Sequence, residues 1–152
     1  MQIIVDADAC PKIIKEILFR AAEKSNIPTT VVANTHIRTP QSTLFKSLKV
    51  AATFNEADDK IAEIIHKGDL VITADIPLAD RAIKKGALAL DPRGELYSEE
   101  NIGTRLAVRN LMTELRESGL QTGGPPPLGN REKQLFAQNL QAIIQKHHTC
   151  KR

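Results

Sequence analysis

The 152-residue chain has no tryptophan, one tyrosine and four phenylalanines. Its core must therefore be aliphatic, and it offers few rings on which bases of a single strand could stack. Two cysteines, Cys10 and Cys150, are too few for a disulfide framework and point to a reduced compartment. No segment approaches the roughly 20 apolar residues of a membrane span. No basic region or signal-like apolar core precedes the first strand-forming run, Gln2–Asp6. These absences point away from a secreted disulfide scaffold, a membrane protein and a base-stacking platform. The expectation is a soluble cytoplasmic protein.

What is present suits one ordinary domain, with 41% hydrophobic and 26% charged residues. Short apolar runs alternate with helical periodicity. Gln2–Asp6 reads as a strand, and Ile13, Ile14, Ile17, Leu18, Ala21 and Ala22 recur at helical spacing after it. Asp8 stands where that helix wants an N-cap, with Pro11 in its first turn. Thr29–Ala33 reads as a second strand and Leu48–Thr53 as a weaker third. A helix follows over Glu56–His66, then the continuous apolar strand Asp69–Ala74, a helix from Asp75 through Lys85 closed by Gly86, and a strand over Ala87–Leu90. This rhythm predicts an α/β fold, a parallel sheet with helices on both faces. Beyond residue 98 the pattern becomes helical: Asn101–Glu117, a Gly- and Pro-rich connector over Gly119–Gly129, and a last helix over Arg131–His147. We expect one domain over 1–152, its αβ core ending near residue 98 and a C-terminal helical appendage over about 99–148.

Charge is segregated along the chain. The net charge is +3, but residues 1–100 carry 13 Lys/Arg against 15 Asp/Glu, and residues 101–152 carry 8 against 3. Between Glu23 and Glu56 there is no acid, while Lys24, Arg38, Lys46 and Lys49 fall there. A phosphate-bearing polymer approaching a metal would use such segregation; solvated basic faces would produce it equally well.

Ligands of open parallel sheets bind at the carboxyl ends of the strands. Asp6 and Asp8 follow the first strand at that edge, and Asp75 follows the strongest strand, with Asp80 one turn into the next helix. In the helix from Glu56 the apolar stripe is Phe54, Ala57, Ile61, Ile64 and Ile65. At 100° per residue, Asp58 lies about 60° from Ile61 and can reach the rim, whereas Asp59 lies about 160° away and faces water. Crowded carboxylates repel unless a proton or cation intervenes. Hard oxygen donors suit Mg²⁺ or Mn²⁺, which bridge substrate phosphates and activate water. The plainer reading makes Asp8 and Asp75 ordinary helix caps and Asp58 a surface residue; convergence of all four is what favours a site. Arg38, Lys46, Lys49 and Arg93 are candidate contacts to substrate phosphates. His147 and His148 near Cys150 lack a second ligand pair at zinc spacing, and Cys10 has no His nearby in sequence, so a packing role suits it.

Four segments carry a family resemblance: Ile4-Val-Asp-Ala-Asp-Ala-Cys-Pro11, Val71-Ile-Thr-Ala-Asp-Ile-Pro-Leu-Ala79, Asp91-Pro-Arg-Gly94 and Gln121-Thr-Gly-Gly-Pro125. In that order and spacing, over nearly the whole chain, they resemble the YaiI/YqxD family of uncharacterised bacterial proteins. That family in turn resembles the PIN-like nucleases, three-layer αβα domains whose aspartates bind metal and cut RNA. The resemblance implies Asp6 and Asp8 at the first acidic position, Asp58 as the helical acid, and Thr73 with Asp75 as the Thr-x-Asp element, Thr73 orienting a carboxylate or water. Asp80 lies outside that pattern. The implied activity is metal-dependent cleavage of nucleic acid, RNA first, with the basic C-terminal helix as an RNA contact.

Two alternatives belong beside it. A haloacid-dehalogenase-like phosphohydrolase would use Asp6 as nucleophile, Asp8 as general acid, and Asp75 with Asp80 as Mg²⁺ ligands. Cys10 stands where that motif wants Thr or Val, and no convincing Lys follows. The other is a non-catalytic RNA-binding module. The sequence leaves the oligomeric state open.

Overall fold

A computed structural model describes residues 1–35, 37–51, 56–104, 107–108, 111 and 129–150, with backbone alone for Ala9 and for residues 148–150. Six strands form one sheet: β1 (Ile3–Asp6), β2 (Thr29–Ala33), β3 (Phe45–Lys49), β4 (Leu70–Ile72), β5 (Leu88–Leu90) and β6 (Leu96–Tyr97). Their spatial order is β3-β2-β1-β4-β5-β6. All neighbours pair in parallel except β5 with β6, an antiparallel pair that the sequence did not announce. The chain thus winds outward one way from β1 and the other way from β4. The two strands at the reversal are neighbours, and a crevice opens beyond their carboxyl ends.

Alternation along each strand assigns the two faces. Ile3, Val5, Val31, Leu70 and Ile72 pack on one face against α1 (Lys12–Ser25) and the last helix, α4 (Asn130–Cys150). Ile4, Val32, Val71 and Ala89 pack on the other against α2 (Glu56–Ile64) and α3 (Ile76–Lys84). This is a three-layer αβα sandwich, as expected. The C-terminal helix is more than an appendage to it. Phe136, Leu140 and Ile144, at helical spacing, are almost wholly buried in the first cluster beside Ile3 and Leu18. The turn after β5 closes onto this helix: Gly94 has φ +96°, and a Cβ there would stand 2.5 Å from the Phe136 backbone nitrogen. Asn139 Nδ2 donates to Gly94 O across the same contact.

Three expectations need correcting. The third strand is Phe45–Lys49, not Leu48–Thr53. It is an edge strand with one large residue turned to each face, Phe45 to the first cluster and Leu48 to the second, so its apolar signal is thin. Asp8 does not cap α1. It lies in a 3₁₀ turn over Ala7–Ala9, and the N-cap of α1 is Pro11, without a side-chain cap bond. The helix after β4 does begin as predicted: Asp75 Oδ1 accepts from Leu78 N at 3.0 Å. Residues 99–104 are helical, at the start of the expected Asn101–Glu117 helix. Most of that helix, the connector up to residue 128, and Phe54 lie outside the described residues. Among the described residues no helix is long and apolar enough to cross a membrane.

Candidate functional site

Because Val5 pairs with Ile72, the residues that follow them, Asp6 and Thr73, come side by side at the crevice. Both are buried, Asp6 to 6% exposure and Thr73 to 0%. Thr73 Oγ1 donates to Asp6 Oδ2 at 3.0 Å and accepts from Asp75 N at 3.0 Å. One hydroxyl therefore couples the end of β1 to the start of α3. Among the described residues no buried side-chain nitrogen or oxygen lacks a hydrogen-bond partner.

Asp58 approaches from α2. Burial raises its pKa to about 6, with the charges of Asp75 and Asp6 and a hydrogen bond to Asp75 adding to the effect, and Arg81 opposing it. Burial and like charge thus both disfavour ionisation of Asp58, as crowded carboxylates do without a neighbouring cation. Asp6 is also raised, chiefly by burial; the Thr73 bond lowers it, and the charges of Asp75 and Asp8 raise it. The helical-wheel separation of the two neighbouring acids holds. Asp58 is half-buried at the rim, while Asp59 is exposed and pairs with Arg81 at 3.0 Å.

The other sequence-predicted residues divide plainly. Asp8 is exposed, and its Oδ2 accepts from Asn34 N at 2.9 Å, turned toward the exit of β2. Asp80 pairs with Lys84 at 2.8 Å on α3, one turn along the helix. Lys46 and Lys49 project from opposite faces of β3, since Phe45 and Leu48 do, so they cannot share one phosphate track. Arg38 is exposed in the β2–β3 crossover, and Arg93 is half-buried in the turn after β5. Over Gln134–Gln145 the helix α4 carries no charge, so its described part is not a continuous basic surface.

Sequence reasoning missed Asp91, at the carboxyl end of β5 on the same rim. Its Oδ1 accepts from Arg93 N at 2.6 Å and its Oδ2 from Tyr97 OH at 2.9 Å. Both oxygens are occupied in stapling the β5–β6 turn. Burial and the Asp91 charge push the Tyr97 hydroxyl up, so it stays a neutral donor. The Asp-Pro-Arg-Gly run following a strand was the available signal. Cys10, buried beneath this rim, has its thiol pushed up to about 12, first by burial, so it packs as a thiol and is no nucleophile.

The gathered donors are carboxylate and hydroxyl oxygens, which fit a hard divalent ion. Among the described residues no three acidic, His or Cys side chains close on one point as metal ligands. The fit is thus to an ion that takes one or two carboxylates and keeps most of its water, as Mg²⁺ does.

Residues 4–146 match the model of the uncharacterised YaiI/YqxD family. Among similar proteins, one from Shewanella amazonensis is 57% identical over 92% of this chain and 94% of its own. One from Photobacterium profundum is 54% identical over 97% and 98%, and one from Citrifermentans bemidjiense 53% over 96% and 95%. All three are named UPF0178 proteins. No solved structure matches.

Proposed function

This chain belongs to the uncharacterised YaiI/YqxD family, and we propose that its Asp6–Asp58–Asp75 crevice binds Mg²⁺ or Mn²⁺ and hydrolyses RNA phosphodiesters. The observation that supports this most is the approach of Asp58 on α2 to Asp75 and Asp6 at the strand ends, near enough that burial and their charges hold it near pKa 6. Structural ion pairs also shift pKa values, but among the described residues no cation pairs with this cluster at hydrogen-bond distance, and it sits at the switch point of the sheet. A bound divalent ion would supply Lewis-acid polarisation of the phosphate and a water of lowered pKa. Asp58 and Asp75 would hold the ion, and Asp58, its carboxyl raised to about 6, would have to be ionised to do so. Thr73 fixes Asp6 Oδ2 and so orients the carboxylate that would position water at the reacting centre.

Two features make the phosphohydrolase reading weaker. Asp6 is 94% covered and hydrogen-bonded by Thr73, a poor posture for a nucleophile. Asp8, its general acid, is turned to Asn34. The test is Mn²⁺-dependent cleavage of a fluorescent single-stranded RNA. Turnover by wild type and none by Asp75→Asn is expected. RNA binding without turnover, unchanged in Asp75→Asn, would instead indicate a non-catalytic binder.

A further inference from the structure

We propose that Asp8 is a positioning residue, tying the β2–β3 crossover to the crevice as its phosphate-binding wall. This rests on the nuclease reading and reassigns one of the acids that the family resemblance places at the metal.

Asp6 and Asp8 are two residues apart, yet the structure sends them to different partners. Asp6 is turned into the crevice and held by Thr73. Asp8 accepts from the backbone of Asn34, 26 residues away, at 2.9 Å. Asn34 is the first residue past β2, the strand that pairs with β1 on the side away from β4. The bond therefore pins the β2 exit against the β1 exit, at the lip of the crevice. A carboxylate accepting a backbone N–H makes a stronger bond than a neutral acceptor would.

What is pinned has the charge a phosphate would meet. The crossover lies in the longest acid-free stretch of the chain, between Glu23 and Glu56, and carries the exposed Arg38. The crossover is anchored at both ends. Asn34 is held by Asp8, and Leu44 O accepts from Thr29 N at 2.8 Å before β3 begins. Ile37 and Leu44 pack against the first core cluster, so its body is seated as well. The acidic crevice thus has an acid-free wall on its β2 side, and a single exposed carboxylate sets where that wall starts. A strand of nucleic acid whose scissile phosphate lies in the crevice would run its neighbouring phosphates along this wall.

The test compares Asp8→Asn with Asp8→Ala. An asparagine carbonyl still accepts the Asn34 N–H but removes the charge, whereas alanine removes both. Three readouts are taken on the whole chain: Mn²⁺ affinity by calorimetry, affinity for a fluorescent RNA 12-mer by anisotropy, and hydrogen exchange at the Asn34 amide. The expected result for Asp8→Ala is Mn²⁺ affinity within twofold of wild type, RNA affinity about tenfold weaker, and faster exchange at Asn34. Asp8→Asn should stay close to wild type in all three, and a cleavage assay on Asp8→Ala should show raised KM with kcat retained. Equal loss of Mn²⁺ affinity in both variants would make Asp8 a ligand and overturn the proposal. So would RNA affinity in Asp8→Ala equal to wild type, or no RNA binding by wild type. Absence of Mn²⁺ binding in wild type would remove the nuclease reading, and exchange at Asn34 would then decide the tether alone: no acceleration in Asp8→Ala overturns it.

Discussion

Replacing Asp58 with asparagine should make the metal-free protein more stable while removing its capacity to be stabilised by metal. The Asp58 carboxyl is held at about 6, against an ordinary value of 3.8. The folded state therefore binds this proton more tightly than the unfolded chain does. Stability is full below about pH 4 and falls as pH rises toward 6, because the unfolded chain ionises first. At full weight that displacement corresponds to roughly 3 kcal/mol. Asp58 is only half-buried, and solvent screening reduces the figure to about 1 kcal/mol. Asparagine keeps the shape and can donate to Asp75 without carrying charge. By thermal unfolding at pH 7.5 in EDTA, Asp58→Asn should melt roughly 2–4 °C above wild type for a domain of this size, and at pH 4 the two should coincide. With Mn²⁺ at a hundred times its Kd, wild type gains roughly 2.7 kcal/mol and the variant far less. A variant that melts below wild type at pH 7.5, or equally at both pH values, would refute the idea that Asp58 is crowded by uncompensated charge.

Thr73→Val removes the hydroxyl that Asp6 and the Asp75 amide share at 3.0 Å each. Urea unfolding should show a loss of about 1–3 kcal/mol, larger at pH 8 than at pH 4 because only the ionised Asp6 depends on that donor. Gly94→Ala would place a methyl 2.5 Å from the Phe136 nitrogen at φ +96°. It should cost about 3 kcal/mol, read as a Tm lowered by roughly 6–12 °C, with α4 the first element to lose exchange protection.

Much of this architecture is visible in the residues, and the exceptions have physical causes. β1, β2 and β4 are covered on both faces, so they read as unbroken apolar runs, and the topology they imply already brings Asp6 beside Thr73 and Asp75. The periodicity of α2 is enough to separate Asp58 from Asp59, because a helix fixes side-chain direction from spacing alone. β3 was misplaced because an edge strand has few neighbours to cover it, leaving Lys46, Ser47 and Lys49 exposed and only Phe45 and Leu48 to carry an apolar signal. Asp8 looked like an N-cap because its local context is that of one. Its actual bond, to an amide 26 residues away, leaves no mark in nearby sequence. The same holds for Asp91, whose partner Tyr97 returns only through the β5–β6 turn. The inner face of α4 shows in the spacing of Phe136, Leu140 and Ile144, but spacing cannot say that the sheet needs it for a third layer.

The central claim is that Asp58 and Asp75, with Asp6 beside them, form a site for a divalent ion. Isothermal calorimetry of Mn²⁺ with wild type, Asp58→Asn and Asp75→Asn addresses it directly. A single site in wild type, with protons released on binding at pH 6 and affinity lost in both variants, is the predicted result. Heats indistinguishable among the three proteins would contradict it.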